Sequence, residues 1–362
     1  MKTTTSILIL ALAALLAGCG APKVGMYRGG PSHAGVYDAA GVPQLQAVHW
    51  KFATGSPINT SPTVFNGVAY IGNQEGYVFA VAVEDGRERW RFKTGSAVGG
   101  APVVTESHAY VSSQDGHLYA LDVRTGQPVW DYTAGAALTT APVLVNGRLY
   151  VGATDGHLHT VDTATGRALW RVRVGGAIYA SPAVHADQVV FGADDGYLYA
   201  LRTDDGQERW RFRTRNAVQA APVLTDTVAL AGSRDHTLYA VDMQTGQTVW
   251  RRQFNGPMQS APAVVDNLLI FGSNDGYVYA ADLASGAQRW KFRTRDWVAA
   301  GPAVADGLVY VGSYDRHVYA LNLRDGTARW NFRTDGAVAA APVVDGKFVY
   351  FGSMDGHLYA VK

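Results

Sequence analysis

The chain of 362 residues has one cysteine, Cys19. A disulfide within the chain is therefore impossible, and a metal site built on cysteine pairs is excluded. Charge is scarce and nearly cancels: 17% of residues are charged, with 31 Lys plus Arg against 30 Asp plus Glu. That balance excludes a polyanion binder working through bulk charge and a long acidic or basic tail. A membrane-length apolar run is missing too, since Ile7 to Leu16 covers ten residues where a span needs about 20. No window beyond that run sustains a helical period. What the chain does have is 41 Gly, 14 Pro, 19 Tyr, 12 Phe and 9 Trp, a composition of strands and tight turns.

Length alone favours two domains, but an internal period overrides it. Trp50, Trp90, Trp130, Trp170, Trp210, Trp250, Trp290 and Trp330 recur every forty residues without a slip. Pro62 to Pro342 keep the same step, as do Asp115, Asp155, Asp195, Asp235, Asp275, Asp315 and Asp355, with Glu75 in the first unit. The unit from Ala101 reads as four short strands. Ala101–Val104 opens with a Pro tolerated at a strand start, followed by His108–Val111. Gln114-Asp115-Gly116 then turns the chain into His117–Asp122, and Thr125-Gly126 turns it into Val129–Tyr132. Four antiparallel strands per forty residues, eight times, predict an all-β, eight-bladed β-propeller. The first element, around Trp50, is a fourth strand without its first three, and the chain ends at Lys362 after a third strand. The Trp50 strand is therefore expected to complete the last blade and close the ring. The expected divisions are 1–18 for a signal peptide, 19–42 for a lipidated tether and lead-in, and 43–362 for the propeller.

Two resemblances sharpen this. Leu16-Ala17-Gly18-Cys19 resembles the lipobox of bacterial lipoproteins, which implies acylation of Cys19. Gly20 in place of Asp implies the outer membrane, periplasmic side, or the outer face of the plasma membrane in a cell with one membrane. Ala120-Leu121-Asp122-Val123-Arg124-Thr125-Gly126-Gln127-Pro128-Val129-Trp130 resembles the tryptophan-docking motif of quinoprotein-like propellers. That fold is shared by dehydrogenases holding pyrroloquinoline quinone with Ca2+ and by lipoproteins similar to the BamB family, which act in outer-membrane protein assembly. The lipobox, the length and the eight blades resemble the second group. The resemblance implies no cofactor, protein partners such as β-barrel assembly components, and a membrane contact through the lipid. The dehydrogenases usually carry a vicinal Cys pair and acidic and amide metal ligands. A quinone-binding oxidoreductase or sensor is the alternative, and a propeller binding cell wall or glycans a third. A monomer without nucleic acid is expected in each case.

No catalytic residue is expected. The turn acids recur once per blade and sit apart, as do His117, His157, His317 and His357, so no metal is expected from either series. His157 and His159 share a strand face and could pair. Arg28-Gly29-Gly30-Pro31 lacks the strand–loop–helix setting of a phosphate loop, and Met26–Gly30 is expected to pack on the ring. Function is sought where units depart from their own pattern. The Gly after the turn Asp becomes His236 and Arg316, preceded by Arg234 and Tyr314 two residues earlier. The connector Gly becomes Arg215 and Arg295, followed by Asn216 and by Asp296-Trp297, the one Trp outside the series. Met258 and Gln259 lie between them in the sixth unit. Together these residues are expected to form a partner-binding arc on the face of the connectors and the second turns.

Overall fold

The structure, a computed structural model, describes residues 24–362; Cys19 and the leader expected before it lie outside the described residues. Eight four-stranded antiparallel sheets form the blades of a propeller. The first is representative: Thr63–Phe65, Val68–Gly72, Tyr77–Ala82 and Glu88–Lys93 pair in sequence order. First strands are two or three residues long and touch those of the neighbouring blades, which puts them at the axis. Crowding there explains the small residues at their approach, since a Cβ on Gly100 would lie 2.2 Å from the Ala141 nitrogen.

The eighth blade is composite. Val48–Ala53 pairs with His357–Val361, from Val48 opposite Val361 to Ala53 opposite His357, as the half-units at the two ends predict. This gives the last blade the outer strand that the other seven have and joins the two ends of the repeat region in one sheet.

The core lies between blades. Phe65, Val68, Tyr70 and Trp90 of the first blade pack against Val98, Val104, Val111 and Leu121 of the second, and seven equivalent clusters complete the circle. A bulge between the third and fourth strands precedes each of the seven tryptophans from Trp90 to Trp330. Each indole then spans to the next blade, as Trp90 Nε1 does in donating to the Val123 carbonyl at 2.9 Å. The ring lies on Gly126, where φ is +71° and a Cβ would come within 2.6 Å of the indole; only glycine meets both demands. Trp330 has no ninth unit to dock on. Its Nε1 donates to the Val42 carbonyl at 2.7 Å instead, so the segment before Val48 supplies the missing turn.

Residues 24–37, expected in part as tether, lie across the inner strands on the face of the Thr-Gly turns. Gly25 exchanges hydrogen bonds with Val104, and the nitrogens of Val184, Leu224, Val264 and Val304 donate to the carbonyls of Pro31, Ser32, Ala34 and Gly35. Arg28 enters the axis from this lid, 2% exposed, donating from Nε to the His33 carbonyl at 3.1 Å and from Nη2 to the Pro262 carbonyl. The packing expected of Met26–Gly30 on the ring is present.

Candidate functional site: the connector face

The opposite face is built by one repeated bond. In every unit the residue before the turn acid donates its N–H to a connector carbonyl: Gln74 to Pro57, Arg234 to Ala217, Tyr314 to Trp297. Connectors and second turns therefore form one surface. The turn aspartates secure it. Asp235 Oδ2 accepts the Arg215 N–H at 2.9 Å and the Tyr239 hydroxyl at 2.7 Å; burial and that carboxylate push the Tyr239 phenol up to about 12. Asp315 does the same for the Arg295 N–H and Tyr319. This is the structural role expected of the series.

The predicted arc divides into two clusters. At the approach to the fifth blade, Arg215, Asn216 and Arg234 are exposed and His236 half-buried. At the approach to the seventh, Arg295, Asp296 and Arg316 are exposed, and Trp297, 51% exposed, tilts over Tyr314 with ring centroids 5.8 Å apart. Burial, then Asp296, raise the Tyr314 phenol. His236 and Arg316 hold φ of +69° and +70°, the left-handed conformation that six other units fill with glycine, as Gly76 and Gly276 do. A side chain there costs about 1–2 kcal/mol.

Met258 is not part of this surface. It is 1% exposed and packs against Leu230, Trp250 and Phe271. Its column reads Ile58, Val98, Leu138, Ile178, Val218, Met258, Val298, Val338, each buried, so Met258 continues a core position and does not depart from one. Gln259 faces the axis. Asn274 Nδ2 donates to its Oε1 at 2.7 Å, its Nε2 lies 3.5 Å from Gln219 Oε1, and Gln219 Nε2 donates to Asp194 at 2.8 Å. This amide chain around the channel mouth was missed at the sequence level. Its signal lies in two variable columns: Asn59, Gly99, Thr139, Tyr179, Gln219, Gln259, Ala299, Ala339, and Gln74, Gln114, Thr154, Asp194, Arg234, Asn274, Tyr314, Met354.

Known structures confirm the fold. BamB from Moraxella catarrhalis superposes with a TM-score of 0.75 at 20% identity, covering 87% of this chain and 99% of that one. The computationally designed Ika8 protein gives 0.76 at 19% identity, over 85% and 97%. A europium-containing methanol dehydrogenase gives 0.80 at 14% identity, over 91% and 90%. At such identities the likeness concerns architecture alone. No curated protein matches by sequence. The sequence profile described as outer membrane protein assembly factor BamB matches residues 42–145, 133–234 and 234–362. The eight blades with docked tryptophans and this match over the whole ring place the chain in the BamB family.

Proposed function

We propose that the chain is a non-catalytic, lipid-anchored scaffold at the periplasmic side of the outer membrane, which captures protein partners of β-barrel assembly on its connector face. The observation that carries this reading is the pair His236 and Arg316, which keep side chains at left-handed positions where six units use glycine. Neither side chain forms a hydrogen bond or ion pair with a described residue, so no bond to the ring offsets the strain. Beside them stand Trp297, Tyr314 and three further exposed arginines, Arg215, Arg234 and Arg295, the residue types that dominate binding hot spots. The positive excess suits an acidic partner surface. The lid of residues 24–37 lies on the other face, which leaves the connector face uncovered by it.

Pyrroloquinoline quinone with Ca2+ does not suit the residues at the channel mouth. Ca2+ takes about six to eight oxygens, carboxylates among them. The two columns facing the mouth hold one carboxylate, Asp194, already bonded to Gln219. The hydroxyls of Thr60, Thr140 and Ser260 are engaged with the carbonyls of Gly72, Gly152 and Ala300. No cysteine follows Cys19.

Crosslinking capture from membranes tests the reading. Wild type should retain β-barrel assembly components, and the triple variant Arg215→Ala, Arg295→Ala, Trp297→Ala should lose them with its melting temperature unchanged. Full capture by the triple variant contradicts the proposal. So does a stoichiometric quinone chromophore with dye-linked alcohol oxidation, or retention on peptidoglycan in place of protein.

A further inference from the structure

The third blade breaks the rule that secures the turn aspartates. Asp115, Asp195, Asp235, Asp275, Asp315 and Asp355 each accept at Oδ2 the hydroxyl of the tyrosine four residues on. After Asp155 that residue is His159. Five of the six also accept a connector N–H, as Asp195 does from Gly175 at 2.9 Å, whereas among the described residues Gly135 donates none to Asp155. The Asp155 carboxylate turns to its neighbour, with Oδ2 2.8 Å from His157 Nδ1.

His159 is 1% exposed, and only one of its ring nitrogens is used. Nδ1 lies 2.9 Å from the Tyr132 hydroxyl on the second blade, while Nε2 is buried without a partner. A buried imidazole nitrogen left unpaired is costly unless something binds it. One ligand atom from each of Asp155, His157 and His159 lies within 4.8 Å of the other two.

We propose that Asp155, His157 and His159 form a site for a divalent transition metal of the Zn2+ class. Two imidazoles and a carboxylate are a ligand set that Zn2+ accepts, with water completing the tetrahedron. Tyr132 holds the His159 ring by its other nitrogen, the outer-shell arrangement that fixes a ligating histidine. Asp155 is exposed and His157 half-buried, so both can close on an ion held by the immobile His159. Arg171, opposite His159 on the outer strand, opposes the cation, and the Asp155 charge offsets it. His317 and His357 are internal controls: each lies beside its turn aspartate, but Tyr319 and Tyr359 stand where His159 does.

The test uses the full chain, without a histidine tag and stripped by chelator, in equilibrium dialysis against Zn2+ with metal analysis and against Co2+ with visible absorption. Wild type should bind one Zn2+ per chain and show the tetrahedral Co2+ spectrum. His159→Tyr restores the residue of the other blades, so it should fold normally and lose both signals; Tyr132→Phe should weaken binding by about tenfold; His317→Tyr should change nothing. Absence of stoichiometric binding by wild type, or full binding by His159→Tyr, overturns the site.

Discussion

The left-handed side chains at 236 and 316 give a prediction in which stability and function move in opposite directions. Replacing each by glycine removes about 1–2 kcal/mol of backbone strain and returns about 0.5–1 kcal/mol to the unfolded chain as entropy. Neither side chain hydrogen-bonds any described residue, and the backbone bonds, His236 N–H to the Ser233 carbonyl and Arg316 N–H to the Ser313 carbonyl, survive in a glycine. His236→Gly and Arg316→Gly should each stabilise the protein by about 0.5–1 kcal/mol. The sites lie in different blades, so the double variant should gain about 1–2 kcal/mol. Urea unfolding followed by tryptophan fluorescence reads the gain, and crosslinking capture reads the cost, which should be a clear loss of partner. Destabilisation of either single variant by more than about 1 kcal/mol would show that the side chain serves the fold, and unchanged capture by the double variant would remove the reason for keeping it.

Three further outcomes are expected. Trp250→Ala should cost about 3–5 kcal/mol in unfolding experiments, because it empties the space against Gly286 and breaks the bond to the Leu283 carbonyl; a cost under about 1 kcal/mol would deny the docking role. Deleting residues 45–54 should expose the third strand of the eighth blade and broaden the melting transition, since each blade leans on its neighbours; an unchanged transition would mean another closure. Burial and the Arg28 charge hold the His33 imidazole down at about 3, against about 6.5 in the unfolded chain. The unfolded state therefore binds the extra proton, and stability should fall as pH drops from about 6.5 toward 3, by up to about 1.4 kcal/mol per pH unit. His33→Asn, which also tolerates the φ of +60° found there, should flatten that slope relative to wild type.

The ring was legible because its cause is local and repeated. Trp, Pro and Asp in phase imply a docked indole, a strand start and a turn, and the unmatched Trp50 strand implies closure. Departures from the repeat were legible only when compared column by column. Trp297 and Arg316 depart from Trp-free and glycine columns, but Met258 sits in an apolar column whose burial unites Ile58 with Val338. The third-blade cluster was half legible. His157 and His159 stand on one face by strand period, yet the release of Asp155 depends on a missing tyrosine hydroxyl, a tertiary fact. Of the lid, only the packing of Met26–Gly30 on the ring was legible, because residues 24–37 belong to no repeat and one partner of Arg28, the Pro262 carbonyl, lies 234 residues away.

Site-specific photo-crosslinking tests the central claim most directly. A photoreactive residue placed at 234, 297 or 316 samples the connector face, and one at Gln127, Gln247 or Thr327 samples the Thr-Gly face. The account predicts crosslinks to an outer-membrane β-barrel assembly component from the first set and none from the second. Crosslinks from the Thr-Gly positions alone would contradict it.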